Sequence, residues 1–274
     1  MPELSGLLPM VGLLLLVGAF AGVVAGLLGV GGGIILVPAF YFVFSALGYS
    51  GDGLMQICLA TSLATIVVTS IRSVLAHHRK GAVDWDILRD WWPGITFGAL
   101  VGMATAGHLR GVVLMVIFGV LGVLVGLYLA FGRPHWRLGD AMPSGPRLYV
   151  MSPILGVLSV LMGIGGGSFG VPLMTLYGRP IHRAVATASG FGVIIAIPSV
   201  TGFLLGPVAS GLRPPFMVGQ VNVVAFVLIV SMTMLTTPFG VRLAHGLDPK
   251  PLRRVFAVFI IVMALNMLRR AWLM

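Results

Sequence analysis

Acidic side chains are almost missing from this sequence: Asp and Glu number seven in 274 residues, and none lies deep in an apolar stretch. Many proton-coupled carriers keep a carboxylate within the bilayer. Without one, proton coupling would need a histidine or a protonated form of the solute. Charged residues of both signs make up only 9% of the chain, against about a quarter in soluble domains, which is too few to cover a soluble surface. A single cysteine, Cys58, excludes a disulfide framework and leaves too few thiols for a cysteine metal site. Within its apolar stretch it reads as a small apolar residue. No Ser-His-Asp or His-Glu-x-x-His arrangement is placed for hydrolysis, so an enzyme is not expected. Gly165-x-Gly167-x-x-Gly170 matches the dinucleotide fingerprint in form, but it lacks the preceding strand and the βαβ context. No cofactor and no metal are expected.

Apolar residues fill the space the charges leave. They are 58% of the chain and fall into ten segments: 8–28, 33–47, 54–77, 91–107, 111–131, 148–163, 168–178, 183–206, 217–242 and 252–271. Several reach the roughly 20 residues a membrane span needs. The net charge of +10 comes from Lys and Arg standing singly or in pairs between these segments. Anionic headgroups and the cytoplasmic excess of basic residues account for that distribution. No basic stripe with aromatic interleaving exists, so nucleic acid is not an expected partner. Ala19-Phe20-Ala21 resembles a signal-peptidase site, yet residues 1–18 contain Glu3 and no Lys or Arg. The first segment is therefore expected to be retained.

Glycine punctuates the chain twice. Gly29-Val30-Gly31-Gly32-Gly33 separates the first two segments, and Gly163-Ile164-Gly165-Gly166-Gly167 separates the sixth and seventh. The stretches that follow, 34–47 and 168–178, cover only about 21 and 17 Å at 1.5 Å per residue. Two hairpins with glycine-rich tips inside the membrane are predicted. The chain also repeats itself. The run from Gly29 to Pro38 matches that from Gly163 to Pro172, Ala60-Thr61-Ser62 matches Ala186-Thr187-Ala188, and Gly81-Ala82-Val83-Asp84 matches Gly219-Gln220-Val221-Asn222. Five segments per half, an odd number, would invert the second copy relative to the first. The expected fold is an all-α polytopic membrane protein of two inverted repeats. Each is a glycine-tipped broken hairpin followed by three transmembrane helices, with 8–10 membrane segments in all. The whole chain is one transmembrane domain: repeat 1 at 8–131, a cytoplasmic linker at 132–147, and repeat 2 at 148–271. With both hairpins re-entrant, twelve Lys and Arg fall on one side and four on the other, with Arg72 inside a helix. That bias puts the linker in the cytoplasm and both termini in the periplasm.

Membrane-depth backbone that leaves a helix must be buried in protein or line a polar cavity. Each glycine tip precedes a new helix, whose unpaired N–H groups and positive dipole end favour an anion. Pro38 and Pro172 are expected near those helix starts, where a missing N–H costs least. Inversion would bring both tips to the midplane and make one anion site from Gly31, Gly32, Gly33, Gly165, Gly166, Gly167 and Ser168. Glycines can also serve only close helix packing, as in Gly18-x3-Gly22-x3-Gly26 and Gly94-x3-Gly98-x3-Gly102, but three in a row exceed that need. Thr61, Ser62, Thr65, Thr69, Thr187 and Ser189 lie in the helices after the hairpins. Their hydroxyls could donate to a substrate oxygen or bond their own helix backbone. Arg72 is the one basic residue well inside a segment, placed either to pair with an anion or to snorkel to the interface. His182 and Arg183 begin the matching helix and either anchor its end or guard the cytoplasmic opening. His108, His135 and His245 look interfacial.

The doubled Gly-x-Gly-Gly-Gly…Pro motif, each copy followed by an Ala-Thr-Ser-like motif, resembles the TauE/SafE sulfite exporter (TSUP) family of permeases. His78-Arg79-Lys80-Gly81-Ala82-Val83-Asp84-Trp85 is similar to the family's basic loop and the start of its next helix. The resemblance covers nearly the whole chain and departs at Ala188, where a second serine would follow Thr187. It implies a secondary transporter of sulfite or organosulfur anions in the bacterial inner membrane. Its partners would be that anion and the bilayer, with assembly into a homo-oligomer left open. The rival expectations are an anion channel and a membrane scaffold that carries nothing.

Overall fold

The computed structural model describes residues 4–28, 33–132, 136–206, 213–246 and 249–273. Among them run ten helices: α1 (Leu4–Leu28), α2 (Gly33–Ala46), α3 (Leu54–Arg79), α4 (Trp85–His108), α5 (Gly111–Phe131), α6 (Pro146–Leu161), α7 (Gly167–Leu176), α8 (Ile181–Leu205), α9 (Val223–Gly246) and α10 (Pro249–Trp272). A short antiparallel ribbon, β1 (Met217–Val218) and β2 (Val221–Asn222), precedes α9. The chain is an all-α polytopic membrane protein. Helices α3, α5, α8 and the Val223–Gly240 part of α9 are each long and apolar enough to cross a membrane. Helices α6 and α7, with 16 and 10 residues, are not; they reach about 24 and 15 Å, against a hydrocarbon core of about 30 Å. Large apolar side chains such as Phe97, Leu124, Val258 and Leu265 stand exposed on the outer helices, as a lipid-facing surface requires.

Helix pairing follows the repeat. Number the second five helices as copies of the first, and α1 against α9 becomes α6 against α4, α2 against α3 becomes α7 against α8, and α3 against α9 becomes α8 against α4. The pairs α5–α10 and α3–α8 map onto themselves. All of these pairs are in contact, so the two halves interlock rather than sit side by side. Close approach is bought by small residues. A Cβ on Gly98 would collide with the Pro153 carbonyl of α6, and one on Gly22 would lie 2.8 Å from the Thr233 Cα of α9. Helices α3 and α8 form the middle of the bundle. Thr61, Ser62 and Thr65 on α3, and Thr187 on α8, are fully buried.

Two details differ from the sequence expectation. Residues 217–222 form the ribbon instead of the first turns of a helix, because Phe216 and Gly219 both take left-handed backbone (φ 60° and 55°). Helix α9 then starts with Asn222 as its cap, whose Oδ1 accepts the Ala225 N–H at 2.8 Å. Pro38 and Pro172, expected near their helix starts, are each the sixth residue of the helix, beyond its first turn. At that position the missing N–H costs a helical hydrogen bond and frees the carbonyl four residues back, at Ile34 and Ser168.

Candidate functional site

The second glycine tip is built in three steps. Gly163 stops α6 with left-handed backbone (φ 62°); its N–H donates to Val160 C=O at 2.8 Å, and the Ile164 N–H to Ser159 C=O at 2.9 Å. These two bonds close the helix end in the pattern that favours glycine there. The chain then turns through Ile164, Gly165 and Gly166, all buried, and α7 begins at Gly167. The Gly170 N–H donates to Gly166 C=O at 2.7 Å. The amides before it, in the first turn, have no acceptor within the helix. Ser168 there is buried, and Gly167 and Phe169 are half-buried.

The first tip meets the second. A Cβ on Gly33, the first residue of α2, would stand 3.2 Å from Ile164 Cα and 3.4 Å from Gly165 N. Gly31 and Gly32 lie outside the described residues. Helix α3 also holds the second tip: Ser62 Oγ donates to Gly163 C=O at 2.7 Å. On the far side, Gly165 approaches Gly192 of α8, with 3.7 Å between a notional Gly165 Cβ and Gly192 Cα. Gly192 in turn lies against the Ser70 hydroxyl of α3. Ser70 and Ser168 are buried. Ser159, in the last turn of α6, carries a buried hydroxyl without a partner among the described residues. Apolar walls thus surround a small set of amides and hydroxyls where both hairpins end.

The family model for the sulfite exporter TauE/SafE matches residues 14–267. The chain belongs to this family. A probable membrane transporter protein of Haemophilus influenzae is 30% identical over 93% of this chain and 97% of its own. One of Methanocaldococcus jannaschii is 25% identical over 93% and 94%, and YunE of Bacillus subtilis 27% identical over 69% and 76%. No solved structure matches. Within the TauE/SafE family this chain is a transmembrane permease.

The candidate residues of this TauE/SafE permease divide by their partners. Gly33, Gly165, Gly166, Gly167 and Ser168 assemble at the tips. Ser62 contributes by fixing the tip backbone. Thr61 and Thr187 do something else: Thr61 Oγ1 accepts the Asn222 N–H at 3.0 Å, and Thr187 Oγ1 accepts the Asp84 N–H at 3.0 Å. The two threonines are repeat mates, as are the two donors, so one cross-half bond occurs twice. Ser189 Oγ donates to Ala186 C=O at 2.6 Å in its own helix, Thr65 to Ser62 C=O and Thr69 to Thr65 C=O. Arg72 is exposed and directs Nη1 to Met234 Sδ on α9 at 3.1 Å. It lies two residues, about 200° of helix turn, from the Ser70 face that meets α8. Ser70 and Gly192 were missed by sequence reasoning. The only signal was the continuation of the Ser62, Thr65, Thr69 face by one more hydroxyl at helical spacing.

The threonine bonds give a direct prediction. Valine keeps the shape of threonine but cannot accept the Asp84 or Asn222 N–H, and an unpaired buried donor costs about 1–3 kcal/mol. Thr61→Val and Thr187→Val should each lower the thermal melting temperature of the purified protein, and by similar amounts. A melt unchanged by either substitution would show that these bonds do not hold the halves.

Proposed function

We propose that this permease carries a small oxyanion, sulfite or an organosulfur anion such as a sulfonate, across the bacterial inner membrane by alternating access. The observation that carries the proposal is the meeting of the tips, Gly33 against Ile164 and Gly165, with the first-turn amides of α7 ending there. Unpaired amides at a helix start attract an anion through hydrogen bonding and the helix dipole together. Ser168 and Ser70 add hydroxyl donors suited to oxygen ligands. Gly165 leaves the backbone beside the tip without a side chain, while Gly166 makes room for Phe191 of α8. The family description supports sulfur oxyanions as the class. The interlocked halves support two mirrored arrangements of one bundle, in which the repeats move against each other and expose the tips to either side in turn. In this proposal the hairpins are re-entrant, the second repeat is inverted, the linker 132–147 is cytoplasmic and both termini are periplasmic.

The test is flux in liposomes holding purified protein, screened with sulfite, sulfate, sulfonates and small carboxylates. A saturable flux of a sulfur oxyanion, with counterflow between labelled and unlabelled solute, is expected. Carboxylate flux alone would overturn the substrate class. Flux without saturation or counterflow would replace the carrier with a channel. Absence of flux and of any anion-dependent rise in melting temperature would leave only a scaffold.

A further inference from the structure

The two halves place one Asx residue at the same point. Asp84 follows Gly81 (φ 64°) and Asn222 follows Gly219 (φ 55°), and each donates its N–H to a threonine of the opposite half. Their side chains diverge. Asn222 stays in its own half, with Oδ1 accepting from Ala225 and Nδ2 donating to Pro215 C=O at 2.8 Å. Asp84 crosses to the other half. Its Oδ1 accepts from Arg183 Nη1 at 2.8 Å, and its Oδ2 lies 3.8 Å from Arg179 Nη1. The residues of the first half that match Arg179 and Arg183 are Gly53 and Ile57, so the charged bridge exists at one mouth only.

The cluster is also unevenly shielded. The Asp84 side chain is 14% exposed, whereas those of Arg183 and Arg179 are 52% and 39% exposed. Two guanidinium groups share one carboxylate, and the longer contact exceeds hydrogen-bond range. Asp84 Oδ2 is buried and accepts no hydrogen bond from the described residues. The guanidinium forks therefore keep donors free on their water-facing side, and such forks suit planar or tetrahedral oxyanions. We infer that Arg179 and Arg183 form a loading site for the transported anion, with Asp84 as its resident counter-ion. An arriving anion docks between the guanidiniums and takes Arg183 from Asp84. The charged bridge between the halves is released at that mouth. Exchanging one anion for another keeps the arginines paired, which costs far less than separating the ions outright. The anion shifts the bundle only because it binds the released arrangement better. This inference rests on the proposed anion transport and adds where the anion is first held.

The experiment uses the full chain with Cys58→Ala and Ala188→Cys. Ala188 is buried, one residue beyond Thr187, and its carbonyl lies 3.1 Å from the place of a Gly166 Cβ. A cysteine there sits between the cluster and the second tip. The rate of labelling by a water-soluble maleimide is measured at constant ionic strength. The anion is the best transported one other than sulfite, which would itself consume maleimide. In the parent the anion should raise the rate about tenfold. D84N and R183Q should label about tenfold faster without anion, and the anion should then add less than twofold. Arg183 is half exposed, so R183Q carries the test if D84N fails to fold. Parent-like labelling in a folded R183Q, or no anion effect in a parent that transports, would overturn the inference while leaving transport standing. A parent that moves no anion in liposomes would instead remove the transport proposal beneath it.

Discussion

Gly166→Val is expected to leave little or no folded permease in the membrane. A Cβ on Gly166 would overlap the Phe191 Cβ and stand 3.0 Å from the Phe191 carbonyl carbon and 3.1 Å from Ala188 O. Two of these three neighbours are backbone of α8, which cannot rotate aside as a side-chain end can. Helix α8 is itself held by the Thr187–Asp84 bond and by its contact with α3. Overpacking in a core typically costs about 1–3 kcal/mol, occasionally more, and valine adds a branch to a position already closed to alanine. Size-exclusion profiles of a fluorescent fusion, compared with the parent, read the outcome. A monodisperse G166V with a parent-like melt would show that this tip is loosely packed. The spacing of the glycines does not reveal this, because the packing that brings Phe191 of α8 against the tip is not written in it.

Gly165→Ala separates chemistry from folding. The added methyl would meet Ile66 Cγ2 at 3.1 Å and Gly192 Cα at 3.7 Å. The first is the β-branch methyl of Ile66, stiff at χ1 in a helix, so α3 and the tip must give way to each other by a few tenths of an ångström. The variant should therefore fold, with a melting temperature within a few degrees of the parent. In the proposed site its methyl stands beside the tip amides that would hold the anion. Uptake into liposomes should fall at least tenfold. Parent-like flux in a folded G165A would remove the tips from the pathway.

Much of the architecture was legible because membrane physics leaves few options. An apolar run of about 20 residues spans, and stretches of 14 and 11 residues after triple glycines do not, which marked α2 and α7 as half-helices. The repeat was legible as matched motifs, and the equal left-handed turns at Gly81 and Gly219 agree with that alignment. What sequence could not show was who bonds whom. Thr61 and Thr187 read as possible donors to a ligand, and the spacing did not reveal that their oxygens also accept backbone amides of the opposite half. The ribbon at 217–222 was absorbed into an apolar segment because Met217, Val218 and Val221 suit a helix as well as a strand. Arg72 has the charge for an anion, yet its position on the α3 circumference, set by how α3 packs on α8 and α9, turns it from the tip.

The cross-half bonds also dictate a schedule for biogenesis. The hydroxyl of Thr61 waits for the amide of residue 222, and α1 and α5 find their main partners in α9 and α10. Most of these contacts form only after nearly the whole chain has left the ribosome. Until then the first five helices have only their contacts with one another, such as α2 with α3 and α1 with α2. A chain arrested after α5 would leave uncovered the faces of α1 and α5 that α9 and α10 cover in the full protein.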